Sequence, residues 1–322
     1  MATQALMDGR WVTVRGSHLF IKDGQSLDSA LAERTGTGAG ARADMVSATR
    51  VGGKKNGRWV DANGREVKSV RIPPAWRDVK VAPDMAHAKV LATGVDGKGR
   101  VQSIYSQVHA EAQATRKFAK VEQLDTKAPA IIKRVRGDAL SALDEVAEPA
   151  ATLALIAATG IRPGSTKDTG GEKQAFGATT LEARHVYTRG DEVHLKFVGK
   201  KGVGIDIPVT DRAVAADVVR RAAIDGPHQR LFAVTAMSLL AYAKDVSGGA
   251  RPKDFRTWVG TTTARRLVAK LQPARSEKEY KGLVRGVAVE VATRLGNTPV
   301  VALQSYIDPR VFGRIKYVRG TS

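Results

Sequence analysis

The sequence predicts an α+β fold in which a small N-terminal antiparallel β domain precedes a mainly α-helical domain. Three observations support this prediction. Between residue 50 and about residue 108, short alternating stretches are separated by turn residues, which is typical of strands joined by hairpins. After His109, alanine- and leucine-rich stretches with helical spacing replace them. The length of 322 residues favours about two domains.

Residues 1–48 are interpreted as an extension that precedes both domains. They contain two alternating stretches, Trp11–Val14 and Leu19–Ile21, which predict a β-hairpin. The small-residue-rich stretch 35–41 is typical of a linker. Because this extension holds five basic and five acidic residues, the whole net charge of +20 lies in residues 49–322.

Residues 49–110 are predicted to form the β domain. The pairs Asn56-Gly57 and Asn63-Gly64 supply the positive backbone φ angle that a tight hairpin turn requires. Asp96–Gly99 predicts a further turn, and it leads into a predicted strand over Arg100–Tyr105.

Residues 111–322 are predicted to form the mainly helical domain. Helical spacing predicts helices over 110–124 and 130–147, followed by a helix that ends at Gly160. A strand pair with a glycine-containing tip interrupts the helices, and helical patterning returns from about Arg212. The two predicted strands are Val193–Val198 and Ile205–Val209.

The composition narrows the classes of function. The chain has 52 Lys and Arg against 32 Asp and Glu, and its pI is about 10.3. A small soluble domain usually has a net charge of magnitude about 2 to 8, so the excess indicates a polyanionic partner. The absence of cysteine excludes disulfides, thiolate zinc sites and cysteine nucleophiles. Neither a membrane span nor a secretory signal is recognisable, so we expect a cytoplasmic protein that does not bind membranes.

Several common catalytic motifs are missing. The sequence has no G-x-x-x-x-G-K-[ST] loop, no H-E-x-x-H pair and no G-x-S-x-G elbow. No cluster of acidic residues or histidines predicts a metal site, so we expect neither a metal nor a cofactor. A DNA-acting enzyme without metal ligands would have to stabilise the charge on a phosphoryl group with arginine and lysine side chains, placed beside a side-chain nucleophile.

Four segments meet that requirement. The first places Arg162 in a turn after an apolar helix, and the second places Lys200 at the tip of the predicted hairpin. In the third, Lys253 and Arg256 are three residues apart and hence on one helical face. The fourth combines the sequence Leu-Gly-Asn-Thr-Pro with Tyr306. Each segment alone is more often a helix cap, a solvated turn, a polar helix face or a packed tyrosine.

Together and in this order, the segments resemble the type IB DNA topoisomerases of the bacterial and poxvirus-like kind, within the tyrosine recombinase superfamily. The match extends to three further motifs. Ile72–Val79 is similar to the family's I-P-P-A-W-x-D-V, Ala92–Gln102 to its A-T-G-x-D-x-x-G-R-x-Q, and Phe176–Leu181 to its Y-G-L-T-T-L. The resemblance covers residues 70–312, so residues 1–50 lie outside it.

The resemblance implies a role for each matching catalytic residue. Tyr306 matches the tyrosine that attacks the scissile phosphodiester and forms a 3′-phosphotyrosyl link. Arg162 and Arg256 match the arginines that bind the non-bridging oxygens. Lys200 matches the hairpin lysine that protonates the leaving 5′-oxygen, and Lys253 matches the second lysine of that proton relay.

Asn297 stands where relatives often carry histidine. It can donate one neutral hydrogen bond to a phosphate oxygen, so we expect a modest catalytic contribution from it. The lysine that follows Lys200 is the alternative candidate for the hairpin role. The residues that we expect to contact DNA are Arg100, Gln102, Tyr105 and Lys201.

The resemblance also implies how the whole chain acts. It implies a monomer that forms a clamp around double-stranded DNA in the cytoplasm, at the nucleoid, and relaxes positive and negative supercoils without ATP or metal. The hairpin over Trp11–Gly24 resembles segments of phage structural proteins, which suggests a phage-encoded enzyme. A tyrosine recombinase or integrase is the alternative, although Lys253, the β-domain motifs and the short tail after Tyr306 favour the topoisomerase. A non-catalytic basic DNA-binding protein is the third possibility.

Overall fold

The protein is described by a computed structural model, which confirms the predicted α+β class. The chain divides into two compact units, Met1–Arg116 and Lys117–Ser322. Antiparallel sheets dominate the first unit and helices the second. The predicted three-part division at residues 48 and 110 stays a prediction. The structure describes residues 9–14, 17–22, 44–53, 57–164, 174–224 and 226–317, so the predicted linker and Asn56 lie outside the described residues.

The first unit contains a hairpin and a five-stranded antiparallel sheet. The predicted N-terminal hairpin is confirmed, with β1 (Gly9–Val14) antiparallel to β2 (Ser17–Lys22). The order of strands in the larger sheet is β4-β3-β5-β6-β7. These strands are β3 (Val46–Val51), β4 (Arg58–Asp61), β5 (Arg77–Val81), β6 (Val90–Val95) and β7 (Val101–Tyr105).

Both fully described turns of the β domain form where the sequence predicts them. In the Asn63-Gly64 turn, Gly64 has a φ of 76° and donates a backbone hydrogen bond to the carbonyl of Asp61. In the Asp96–Gly99 turn, the N–H of the final glycine donates to the Asp96 carbonyl in the same way. The sheet buries one small apolar cluster, formed by Ala48, Val70, Ile72, Val79, Val81 and Ala92.

The second unit is built from helices around a three-stranded sheet. That sheet has the order β10-β9-β8, and its β9–β10 hairpin confirms the predicted strand pair, whereas β8 was not predicted. Its strands are β8 (Val186–Arg189), β9 (Glu192–Val198) and β10 (Gly204–Pro208). The helices are α1 (Gln107–Asp138), α2 (Asp144–Thr159), α3 (Arg212–Ala222), α4 (Ala236–Ser247), α5 (Pro252–Val268), α6 (Glu277–Leu295) and α7 (Pro299–Ser305).

The prediction of separate helices over 110–124 and 130–147 is wrong. The first continues through Pro129 to Asp138, because apolar side chains on both sides of the proline, including Leu124 and Ile131, are buried. The chain then breaks before α2, where the leucines that extend the helical spacing are exposed rather than packed. These two leucines are Leu140 and Leu143.

Candidate active site

The turn that carries Arg162 begins at a left-handed helix cap. Gly160 follows α2 with a φ of 75°, and its N–H donates to the Ile156 carbonyl at 2.8 Å. A Cβ atom at Gly160 would lie 2.5 Å from Cδ2 of Leu295, so only glycine fits this contact with α6. The Ala178 N–H donates to the Arg162 carbonyl at 2.9 Å and fixes the turn beyond the cap.

The Leu-Gly-Asn-Thr-Pro sequence joins α6 to α7. Gly296 caps α6 with a φ of 58°, and the N–H of Asn297 donates to the Ala292 carbonyl at 2.9 Å. Thr298 then caps α7, whose first residue is Pro299, the position at which a helix tolerates proline best. The sequence therefore packs a helix end, Asn297 and a helix start into five residues.

Arg162 and Asn297 meet although they are far apart in the sequence. Nη2 of Arg162 donates to Oδ1 of Asn297 at 2.6 Å. This contact orients the amide so that its Nδ2 donor points away from the arginine. Within the described part of the chain, Nδ2 of Asn297 and Nη1 of Arg162 are both buried and have no hydrogen-bond partner.

Arg256 is almost fully buried on α5, with 2% of its surface exposed. Its Nη1 donates to the Gly160 carbonyl, and its Nη2 donates to the Leu295 carbonyl at 2.6 Å. These carbonyls belong to the C-terminal ends of α2 and α6, which carry partial negative charge. Burial lowers the pKa of Arg256 to about 10, so the guanidinium stays charged at neutral pH. Its Nε is a third buried donor that has no partner among the described residues.

Tyr306 lies against this guanidinium. Cζ of Arg256 is 4.7 Å from the centroid of the tyrosine ring. Burial alone would raise the pKa of the phenol, but the positive charge and hydrogen bonding of Arg256, and then of Arg162, outweigh it, so the pKa is lowered. The structure thus brings four of the predicted site residues together, from three of the four segments: Arg162, Arg256, Asn297 and Tyr306.

The backbone of Tyr306 rests on α5, one turn beyond Arg256. A Cβ atom at Gly260 would lie 2.8 Å from the Tyr306 carbonyl oxygen. The Oγ1 hydroxyl of Thr261 donates to the same carbonyl at 3.0 Å and accepts from the Asp308 N–H at 3.2 Å. Sequence reasoning missed Gly260 and Thr261, although a glycine inside a helical pattern, four residues after Arg256, is a recognisable signal of close packing.

The predicted proton-donor lysines are exposed. Lys253 lies in the first turn of α5, and Lys200 begins a single 3-10 turn between β9 and β10. Ile205 fills the space that a Cβ would take at Gly199 or at Gly296, so the base of this hairpin packs beside the turn that holds Asn297. The side chain of Lys201 lies outside the described residues.

A comparison with models of known protein families shows which family the chain belongs to. Residues 106–314 match the family model of the eukaryotic DNA topoisomerase I catalytic core, which covers about two thirds of the chain. The chain belongs to the DNA topoisomerase I family. The predicted resemblance and the predicted enzyme class, an isomerase, are therefore confirmed.

Viral type IB topoisomerases are among the relatives. The chain is 22% identical over 258 residues to DNA topoisomerase 1B of Acanthamoeba polyphaga mimivirus, which covers 75% of this chain and 76% of the relative. It is 24% identical over 263 residues to DNA topoisomerase 1B of vaccinia virus strain Copenhagen, and 23% over 260 residues to DNA topoisomerase I of monkeypox virus. Each of these two alignments covers 78% of this chain and 81% of the relative. Within the described residues, no helix is long and apolar enough to cross a membrane.

The DNA-binding residues predicted in the β domain of this topoisomerase-family chain lie in the first compact unit. Arg100 donates to Asp96 through Nε at 2.9 Å and Nη2 at 2.7 Å, and Gln102 donates to it through Nε2 at 3.0 Å. The hydrogen bonds from Arg100 hold the pKa of Asp96 well below its usual range. Tyr105 is exposed, with its ring centroid 5.1 Å from that of His109.

Proposed function

We propose that the chain relaxes positive and negative supercoils by cutting one DNA strand, allowing it to rotate and resealing it. One observation carries the proposal: the described part of the site holds three buried, unpartnered donors next to a tyrosine of lowered pKa. Buried polar groups almost always have partners, so this set is suited to an oxyanion ligand. The donors are Nη1 of Arg162, Nε of Arg256 and Nδ2 of Asn297.

In the proposed reaction, the phenol of Tyr306 loses its proton to solvent, favoured by its lowered pKa, and the phenolate Oη attacks the phosphorus of a phosphodiester. A tyrosyl-phosphate bond forms, the bond from phosphorus to the 5′-oxygen breaks, and the DNA keeps a 3′-phosphotyrosyl end. Arg162, Arg256 and Asn297 stabilise the charge that grows on the non-bridging oxygens. Lys200 protonates the leaving 5′-oxygen, with Lys253 completing the proton relay, for a gain of about 10²- to 10⁴-fold.

The phosphotyrosyl bond conserves the phosphodiester energy, so resealing needs no ATP. While the strand is open, the 5′ end rotates around the intact strand and releases supercoils of either sign. The chain acts as a monomer that clamps the duplex, with Arg100, Gln102, Tyr105 and Lys201 contacting DNA. The charge of +20 favours binding through counterion release. A cytoplasmic, DNA-associated location and a phage origin remain predictions of the sequence.

The direct test is relaxation of negatively and positively supercoiled plasmid in EDTA without ATP. We expect the wild type to relax both and Tyr306→Phe to relax neither, because only the phenol oxygen forms the covalent link. Tyr280→Phe, the same chemical change at a partly buried position on α6, serves as the control and should relax at the wild-type rate.

The strand polarity of the covalent link provides a second readout. With an end-labelled duplex, a 5′ label should remain with the protein and a 3′ label should be released. A wild-type protein that binds plasmid without relaxing it would contradict the proposal. Resolution of Holliday junctions by a tetramer would instead favour the recombinase alternative.

A further inference from the structure

A lysine on α1 reaches the residues that immediately precede the tyrosine. Nζ of Lys117 donates to the carbonyl of Ser305 at 3.0 Å and to that of Gln304 at 3.4 Å. These are the last two residues of α7, and Tyr306 follows them. The final carbonyls of a helix have no partner within the helix and attract a cation, so the ammonium group holds this helix end in place.

The surroundings of Lys117 link it to both sides of the tyrosine. Its side chain is half-buried, and burial lowers the pKa of the ammonium group. The carboxylate of Asp308, two residues after Tyr306, opposes this shift, and the charge of Lys253 adds to it. The ammonium group therefore contacts the chain before the tyrosine and interacts electrostatically with Asp308 after it and with Lys253.

We infer that Lys117 is a positioning residue for Tyr306, which it fixes through the backbone carbonyls of Gln304 and Ser305. This inference rests on the proposed function. Lys117 holds the carbonyl of Ser305, which immediately precedes Tyr306, whereas Thr261 holds the carbonyl of Tyr306 itself. Nucleophilic attack requires a near in-line approach, and a misplacement of about 1 Å can reduce a rate about 100-fold.

A positioning residue and a proton donor have different kinetic signatures. Tyr306 is the nucleophile in cleavage and the leaving group in religation, so poor positioning slows both steps. A proton donor to the 5′-oxygen becomes unnecessary when sulfur replaces that oxygen, because a thiol has a pKa of about 8.5 and water, like an alcohol, one of about 16. Sulfur substitution should therefore rescue loss of Lys200 and leave a Lys117 defect unchanged.

The experiment is single-turnover cleavage at saturating protein, on duplexes with oxygen or sulfur at the 5′-bridging position. Lys117→Met removes the ammonium group and keeps an apolar stem of similar length. We expect it to slow cleavage about 10-fold on both substrates and to slow religation by a similar factor, with DNA affinity unchanged. Lys120→Met, an equal loss of charge at an exposed position on α1, should cleave at the wild-type rate.

Two conservative variants address the hydrogen bond itself. Lys117→Arg and Lys117→Gln retain donors for the carbonyls, so both should cleave faster than Lys117→Met. If Lys117→Met does not fold, as judged by its thermal midpoint, Lys117→Gln carries the test: its neutral and shorter side chain should cleave more slowly than the wild type on both substrates, and a wild-type rate on both would overturn the inference.

Three results would overturn the inference: wild-type cleavage by Lys117→Met, rescue of that variant by sulfur, or a defect confined to DNA affinity. The second would make Lys117 a proton donor, and the third would make it a DNA contact. Failure of the proposed function is recognised separately, since the wild type would then form no covalent adduct with either substrate.

Discussion

Replacement of Gly260 by alanine tests whether the close packing of α5 against Tyr306 is required for catalysis. The added Cβ would lie 2.8 Å from the Tyr306 carbonyl oxygen, 3.0 Å from the Tyr306 Cβ and 3.1 Å from Cδ1 of Leu295. Ordinary van der Waals contact begins at 3.4 Å, so the tyrosine backbone has to move by roughly 0.6 Å. The nearest atom belongs to the backbone, which cannot rotate away as a flexible side chain does.

Two opposing effects decide the stability of Gly260→Ala. Alanine is favoured over glycine inside a helix by about 1 kcal/mol. Overpacking in a filled interior costs about 1 to 3 kcal/mol. We therefore expect the free energy of unfolding to fall by about 0 to 2 kcal/mol. The rate should respond more strongly: if about 1 Å of misplacement reduces a rate about 100-fold, a shift of roughly 0.6 Å reduces strand cleavage about 10-fold.

The assay is single-turnover cleavage at saturating protein, combined with denaturant unfolding. Gly282→Ala on α6 is the matched control, because nothing lies within 4 Å of its added Cβ. It should gain up to about 1 kcal/mol in stability and cleave at the wild-type rate. Equal cleavage rates for Gly260→Ala and the wild type would refute the reasoning, because the tyrosine could then shift without consequence.

The remaining predictions concern the charge and the donors of the site. The phenol of Tyr306 should ionise below the ordinary value of about 10, so its phenolate absorbance, isolated as the difference between wild type and Tyr306→Phe, should appear at lower pH than that of free tyrosine. Arg162→Met should move this titration to higher pH, and an unchanged midpoint would contradict the assigned cause. Asn297→Ala should slow cleavage about 10-fold, the effect of one lost hydrogen bond, and less than Tyr306→Phe does. Asn297→Asp should be slower still because its carboxylate repels the phosphate, and cleavage faster than that of Asn297→Ala would contradict this.

The sequence predicts the side chains of the candidate site better than the groups that hold them. Arg162, Arg256 and Tyr306 are side chains whose chemistry is visible in their type and order. Lys117 and Thr261 act on backbone carbonyls of residues 305 and 306, far away in the chain. Every residue has the same backbone carbonyl, so no pattern of residue types predicts these contacts.

The break between α1 and α2 is a second feature that the sequence pattern does not predict. Leu140 and Leu143 continue the helical spacing, but they are 88% and 58% exposed. Apolar periodicity predicts a helix only when the apolar face finds a surface to cover, and that surface depends on the rest of the fold. Gly160 and Gly296, by contrast, mark helix ends that the sequence signals locally, and the structure places a left-handed cap at both.

Two kinds of partner hold the partly or fully buried arginines Arg162, Arg221 and Arg256, and only one kind balances their charge. The side chain of Arg221 is 10% exposed and forms ion pairs with Glu148 and Asp217, whose hydrogen bonds outweigh burial and raise its pKa. In the described part of the chain, Arg162 and Arg256 form no ion pair, and Arg256 is held by two main-chain carbonyls and by Tyr306. A carboxylate partner would cancel the positive charge and repel a phosphate, whereas a carbonyl orients the guanidinium and leaves its charge intact. Arg162 and Arg256 can therefore still attract an anionic oxygen, whereas the charge of Arg221 is already balanced by Glu148 and Asp217.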